Sequence, residues 1–259
     1  MVIEDDTAPR RRGGGAKIII AIAAFVAGVG AFAPAELFAA AAARGSAFDY
    51  VGARGTIWRG AVIGASYDGI LLGDIDFTLR PASLLAGRVR VSARSSNGAM
   101  RGAGDISVGL RQLSISGLNG EFDLGAIRRY SFFGASYRGR MRIDITGLRL
   151  SRDGCEAGSG TLWTNALTVA AGQWNATGFD LSGPVMCENG DLRAKLSGAG
   201  VEGRLEISGV VDSGLNFSMQ AIAAPRRPEV YNALMLLQFE PKDDVLSYQA
   251  VGKLKGFTS

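Results

Sequence analysis

From about residue 73 onward, apolar and polar residues alternate with period two. In Gly73–Arg80, Ile75, Phe77 and Leu79 take one face while Asp74, Asp76, Thr78 and Arg80 take the other. Successive strand side chains point to opposite faces, so this reads as a half-buried antiparallel strand. The pattern returns in Arg88–Arg94, Gly104–Leu110, Gln112–Ile115, Arg140–Leu150, Arg204–Ser208, Leu215–Met219 and Val245–Leu254. In the last of these, Leu246, Tyr248, Ala250, Gly252 and Leu254 share a face. Turn-forming residues separate the runs, as at Ser95-Ser96-Asn97-Gly98. One soluble helix is expected, opening at Pro228 and apolar through Leu237. The expected fold class is mainly β: an N-terminal transmembrane helix followed by a large, twisted antiparallel β-sheet domain made of two related halves.

The transmembrane helix is read from residues 18–35, which carry no charge after the basic Arg10, Arg11, Arg12 and Lys17. The run lies near the lower limit of the ~20 residues needed to cross a bilayer. The positive-inside rule keeps residues 1–16 in the cytoplasm and sends the rest outward. A cleaved signal peptide is the competing reading, with small residues for cleavage at Ala39–Ala43. The length of the run and Glu36, which interrupts the approach to that site, favour an uncleaved anchor. The expected division is a cytoplasmic head at 1–16, an anchor at 17–40 and a periplasmic β domain at 45–259, with halves at about 48–118 and 121–259.

The two halves are suggested by a recurring heptapeptide. Gly55-Thr56-Ile57-Trp58-Arg59-Gly60-Ala61 returns as Gly160-Thr161-Leu162-Trp163-Thr164-Asn165-Ala166. Glycine, threonine and tryptophan in this order suit a strand entering a tight corner. Gly55, Thr56, Trp58, Gly60, Gly160, Thr161 and Trp163 are therefore read as structural positions, the two indoles anchoring two pieces of core.

Composition then removes several kinds of chemistry. The chain has 259 residues, 37 glycines and no histidine. The missing histidine excludes Ser-His-Asp catalysis and every zinc site that needs imidazole. The net charge of +4 is spread along alternating strands, so no nucleic-acid footprint is read. Asp74 and Asp76 share a face and could do acid–base work, but mid-strand they read as a solvated face, as do Arg88, Arg90 and Arg94. Gly198-Ala199-Gly200-Val201-Glu202-Gly203 matches a dinucleotide fingerprint, yet a strand rather than a helix follows it, so it reads as a hairpin. No catalytic residue, cofactor or metal is expected. Cys155 and Cys187 are the only cysteines. Outside the cytoplasm such a pair favours a disulfide over two free thiols.

The order of these pieces is distinctive. An apolar N-terminal run precedes Gly55-Thr56-Ile57-Trp58-Arg59-Gly60, then Leu79-Arg80-Pro81-Ala82-Ser83-Leu84-Leu85-Ala86-Gly87, then Gly160-Thr161-Leu162-Trp163. Ala233-Leu234-Met235-Leu236-Leu237 and a final strand ending Gly252-Lys253-Leu254 follow. Together they resemble the type II secretion system protein N family. The resemblance implies a non-enzymatic, single-pass inner-membrane protein with a periplasmic β domain. Its implied role is to assist export of folded exoproteins across the outer membrane through contacts with the inner-membrane platform or the secretin. The long charged head at 1–16 departs from many members. A lipid-binding or lipid-transfer β protein of the lipopolysaccharide-export or bridge-like type is the alternative of a different class, to be distinguished by an open apolar groove that no side chain fills.

Overall fold

The computed structural model describes residues 28, 30, 32–126, 138–151, 153–172 and 176–253. The head at 1–16, most of the anchor at 17–40 and the segment 127–137 lie outside the described residues. That last segment holds most of a Gly134–Gly139 stretch that echoes Gly64–Gly69. Among the described residues, no helix is long and apolar enough to cross a membrane.

The chain enters through helix α1 (Ala35–Ala43) and the short strands β1 (Phe48–Asp49) and β2 (Gly52–Gly55). Strands β3 (Arg59–Tyr67) and β4 (Ile70–Leu79), a short helix α2 (Pro81–Leu85), and strands β5 (Val89–Ser95), β6 (Met100–Val108) and β7 (Gln112–Asp123) follow. After a 3-10 turn at Leu124–Ala126 come β8 (Arg140–Ser151), β9 (Gly154–Thr164) and helix α3 (Ala166–Gly172). The remainder is β10 (Leu181–Glu188), β11 (Asp191–Gly200), β12 (Gly203–Val211), β13 (Asn216–Pro225), α4 (Pro228–Leu236), β14 (Glu240–Lys242) and β15 (Val245–Lys253).

All described strands join one 15-stranded sheet. From β3 to β13 each strand pairs antiparallel with the next in sequence, as tight turns between alternating runs dictate. Order departs from sequence at the two ends: β1 and β2 both pair with β3, and β15 inserts between β13 and β14. The sheet is continuous through the position where two halves were expected to meet, because β7 runs unbroken from Gln112 to Asp123.

Register sets the two faces. Leu79 lies opposite Val91, Val91 opposite Ile106, Ile106 opposite Ile115, and Ile115 opposite Leu148. The same face continues through Ile143–Leu162, Cys187–Leu192, Leu196–Ile207, Ile207–Ala221 and Ala221–Tyr248. The other face carries Asp76 opposite Arg94, Ser92 opposite Asp105, Glu121 opposite Arg142, and Lys195 opposite Ser208. The side-chain period of two, reset where the register shifts, keeps most of the apolar residues on one side.

The apolar face does not close into a single core. Its buried residues form three clusters along the sheet. The first joins Ala35 and Ala39 of α1 to Val62, Ala65 and Phe77. The second, made of strand residues, centres on Ile145, Leu148, Cys155 and Val185. The third joins Ala221, Ala223, Phe239 and Leu246, with Leu234 and Leu237 packed against them. Among the described residues, Leu246 is the largest side chain less than 2% exposed.

Candidate functional site

The apolar face is concave. Register shifts interrupt β3 between Val62 and Ala65, β6 between Ala103 and Asp105, and β8 between Ile145 and Gly147. Such irregularities bend a strand and increase its twist. The direction of the bend is read at glycine. A Cβ on Gly160 would meet the Asp144 carbonyl oxygen at 2.5 Å and Ile145 Cδ1 at 2.7 Å, and one on Gly183 would run into the Lys195 carbonyl. Both glycines lie on the apolar side. Gly147, on the polar side, has nothing within 4 Å of a Cβ. The sheet therefore curls toward its apolar face, making a trough that crosses the strands. Helices occupy its two ends. At one, Phe38 of α1 stacks on Phe77 at 4.7 Å; at the other lies the cluster that takes in Leu234 of α4.

The sheet has two unlike edges. At the N-terminal edge, β1 and β2 share one side of β3. That edge is shielded: Ile57 N–H donates to the Ala33 carbonyl at 2.9 Å, and Pro34 bridges Thr56. At the C-terminal edge, β14 pairs only with Val245–Ser247 of β15. Ala250–Lys253 pair with β13 on one side and with no described strand on the other. Val251 there is 81% exposed. The Glu240-Pro241-Lys242 strand is short, charged and proline-bearing, the usual means of blunting an edge. Ala250–Lys253 have only the terminal Lys253 for that purpose.

The recurring heptapeptide adopts two conformations. Gly55 has φ +89°, and Thr56 N–H donates to the Arg59 carbonyl at 3.0 Å, closing a corner between β2 and β3. Trp58 Nε1–H donates to the Gly30 carbonyl at 2.8 Å, tying the incoming N-terminal chain to that corner. A Cβ on Gly60 would run into the Arg54 carbonyl, Ala35 Cβ and the Phe77 ring, so only glycine fits there. In the second copy, Gly160, Thr161 and Trp163 lie within β9, which ends at Thr164 where the chain turns into α3 at Ala166. Trp163 lies on the polar face, 5.0 Å below the Arg142 guanidinium, and Thr161 opposes Asp144. So Trp58 anchors an entry point, whereas Trp163 is a surface cation–π partner.

Cys155 and Cys187 are disulfide-bonded, with Cα atoms 5.4 Å apart, in the floor of the trough. They tie β9 to the end of β10.

Three carboxylates are structural clamps. Asp74 accepts from Gly64 N–H at 2.9 Å and from the Asn97 amide at 3.0 Å, and these donors hold it below its ordinary pKa. Asp212 is lowered in the same way by the Asn216 side chain and backbone. Glu202, in the β11–β12 turn, is only 6% exposed and accepts from Thr177 Oγ1 at 2.8 Å and Thr177 N at 3.1 Å. The Thr177 side-chain hydrogen bond is the main cause of its lowered pKa, with Arg227 adding to it. Tyr50 donates to Glu36 at 2.8 Å and is shifted up by that bond. None of these groups was singled out by sequence pattern except Asp74. Glu202 fell inside the glycine motif read as a hairpin, which is what β11 and β12 form.

Among the described residues, the geometry thus offers an edge that no strand pairs and an apolar trough that no element covers between its ends, both suited to contacts. A family model for type II secretion system (T2SS) protein N matches residues 47–246. The chain belongs to the type II secretion system protein N family. No curated protein and no solved structure matches the chain. Type II secretion protein N membership makes the chain a component of that system, associated with its other components and located in the cell envelope.

Proposed function

We propose that this type II secretion component is a non-enzymatic, single-pass inner-membrane protein. Residues 1–16 form a cytoplasmic head, 17–40 the anchor and 45–259 a periplasmic β domain. The domain assists export of folded exoproteins across the outer membrane by binding the inner-membrane platform or the secretin. The outer side of Ala250–Lys253, which no described strand pairs, carries this reading, because such a strand accepts another chain by β-addition. Helix α4 adds a second contact, exposing Tyr231, Met235 and Leu236 on its outer side.

The test is a mild-detergent pull-down of the tagged full chain from its own membranes, comparing the native sequence with Val251→Glu. Platform or secretin subunits are expected with the native chain and are lost with the variant. Equal recovery by both, or recovery of neither subunit by the native chain, overturns the reading.

A further inference from the structure

We propose that the trough on the apolar face holds the acyl chains of a membrane phospholipid. Between the helices that close its ends, the trough is lined by aliphatic side chains such as Ile106, Val108, Ile143, Leu148, Leu162 and Val185, all on one face by register. Several remain open to solvent, with Ile106 38% and Val108 48% exposed. An apolar surface of this extent costs free energy in water roughly in proportion to its area. Among the described residues, no element covers it between its two ends.

The dimensions fit a lipid. From β4 to β12 there are eight strand spacings of about 4.8 Å, so the trough is ~38 Å long. One leaflet of acyl chain spans about 15 Å, half of a ~30 Å hydrocarbon core. An acyl chain needs no hydrogen bonds from its host. An extended peptide in the same place would leave its backbone groups facing aliphatic side chains, which is costly.

The position fits as well. One end of the trough lies beside α1 and the Trp58 corner, where the chain arrives from its apolar run at 18–35. At that end of the sheet, Leu85 at the end of α2 is 94% exposed and Leu110 in the β6–β7 turn is 91% exposed, and Leu110 shares a shallow cleft with Arg88 and Arg111. Bare leucines interleaved with arginines match the boundary between acyl chains and anionic headgroups. The membrane as the source of lipid rests on the anchored topology proposed above; the trough does not.

The test places a photoreactive benzoylphenylalanine in the full chain, in its native membranes, at Ile143 or Leu162 in the trough and at Arg149 on the polar face of the same region. Retention of the Cys155–Cys187 disulfide confirms the fold of each variant. The expected result is a phospholipid-mass adduct at Ile143 and Leu162, several-fold above Arg149. The double variant I106Q/V108Q, at two already half-exposed positions, should lower phospholipid per purified chain several-fold. Equal labelling at Arg149, no lipid adduct in the trough, or a crosslinked polypeptide at Ile143 would each overturn the proposal. Lipid adducts on a protein found in the soluble periplasmic fraction would instead overturn the anchored topology and leave the trough assignment standing.

Discussion

Glycine has opposite worth on the two faces of this sheet. At Gly183 an added methyl would run into the Lys195 carbonyl on the inside of the bend, and neither backbone can yield without opening the β10–β11 ladder. Gly183→Ala should destabilise by roughly 1–3 kcal/mol, the usual cost of overpacking. At Gly147 a methyl meets open space and the backbone has no positive φ. Gly147→Ala should stabilise by about 0.4–1 kcal/mol by restricting the unfolded chain. Urea titrations of the two variants check both signs; a destabilised Gly147→Ala would mean that the sheet curls the other way. The carboxylates give a pH dependence. Glu202 is lowered in the folded chain by the Thr177 hydrogen bonds, with Arg227 assisting, so folding favours its ionised form. Its contribution is therefore complete above the unfolded value of about 4.3 and disappears as pH falls through the lower folded value. Asp74 and Asp212 act in the same direction. Thermal melts from neutral pH into the acid range should show a loss of stability that is shallower in Glu202→Gln than in the native chain.

At the scale of elements, the disulfide is the strongest local restraint. Cys155 and Cys187 are 32 residues apart, and loop closure of that span restricts the unfolded chain by about 3.7 kcal/mol. C155S/C187S should unfold its central strands at distinctly lower denaturant, and reduction of the native chain should mimic it; matching curves for the variant and the oxidised native chain would refute this. The strands themselves were legible because alternation is a local property. Ile75, Phe77 and Leu79 point one way whatever the partner strand, and the turn at Asn97-Gly98 is written in residues that tolerate it. The Pro228 helix was legible for the same reason, with proline at its first position. What alternation does not encode is which way the sheet bends, since that depends on register shifts in the ladders between neighbouring strands. Nor does it encode the fate of a repeated motif. Gly55 takes a positive φ and turns a corner because the incoming chain docks on Trp58, while Gly160 stays extended between β8 and β10. Glu202 was hidden because its donor, Thr177, comes from the loop leading into β10, 25 residues earlier in the chain.

The whole molecule follows from the way each strand relies on its two neighbours. The three apolar clusters lie along the sheet and are separated by strands whose inward side chains are only half-buried. Stability is then close to a sum of nearest-neighbour ladders, as in repeat arrays, rather than the property of one shared core. An array of that kind loses the all-or-none unfolding that small compact domains show. The end built from β13, β15, β14 and α4, with one open edge, should therefore open at lower denaturant than the disulfide-tied strands β8–β10. Hydrogen exchange resolved along the chain should show protection highest around Ile145 and Val185 and lower at the open Ala250–Lys253 edge. Unfolding followed at the two ends by separate probes should give non-coincident transitions. A single coincident transition, with uniform protection from β3 to β15, would show that the clusters act as one core. If a bound acyl chain bridges the clusters, delipidation should separate transitions that coincide in the lipid-loaded chain. That outcome would connect the thinness of the core to what fills the trough, because the strands would then reach full cooperativity only with the occupant in place.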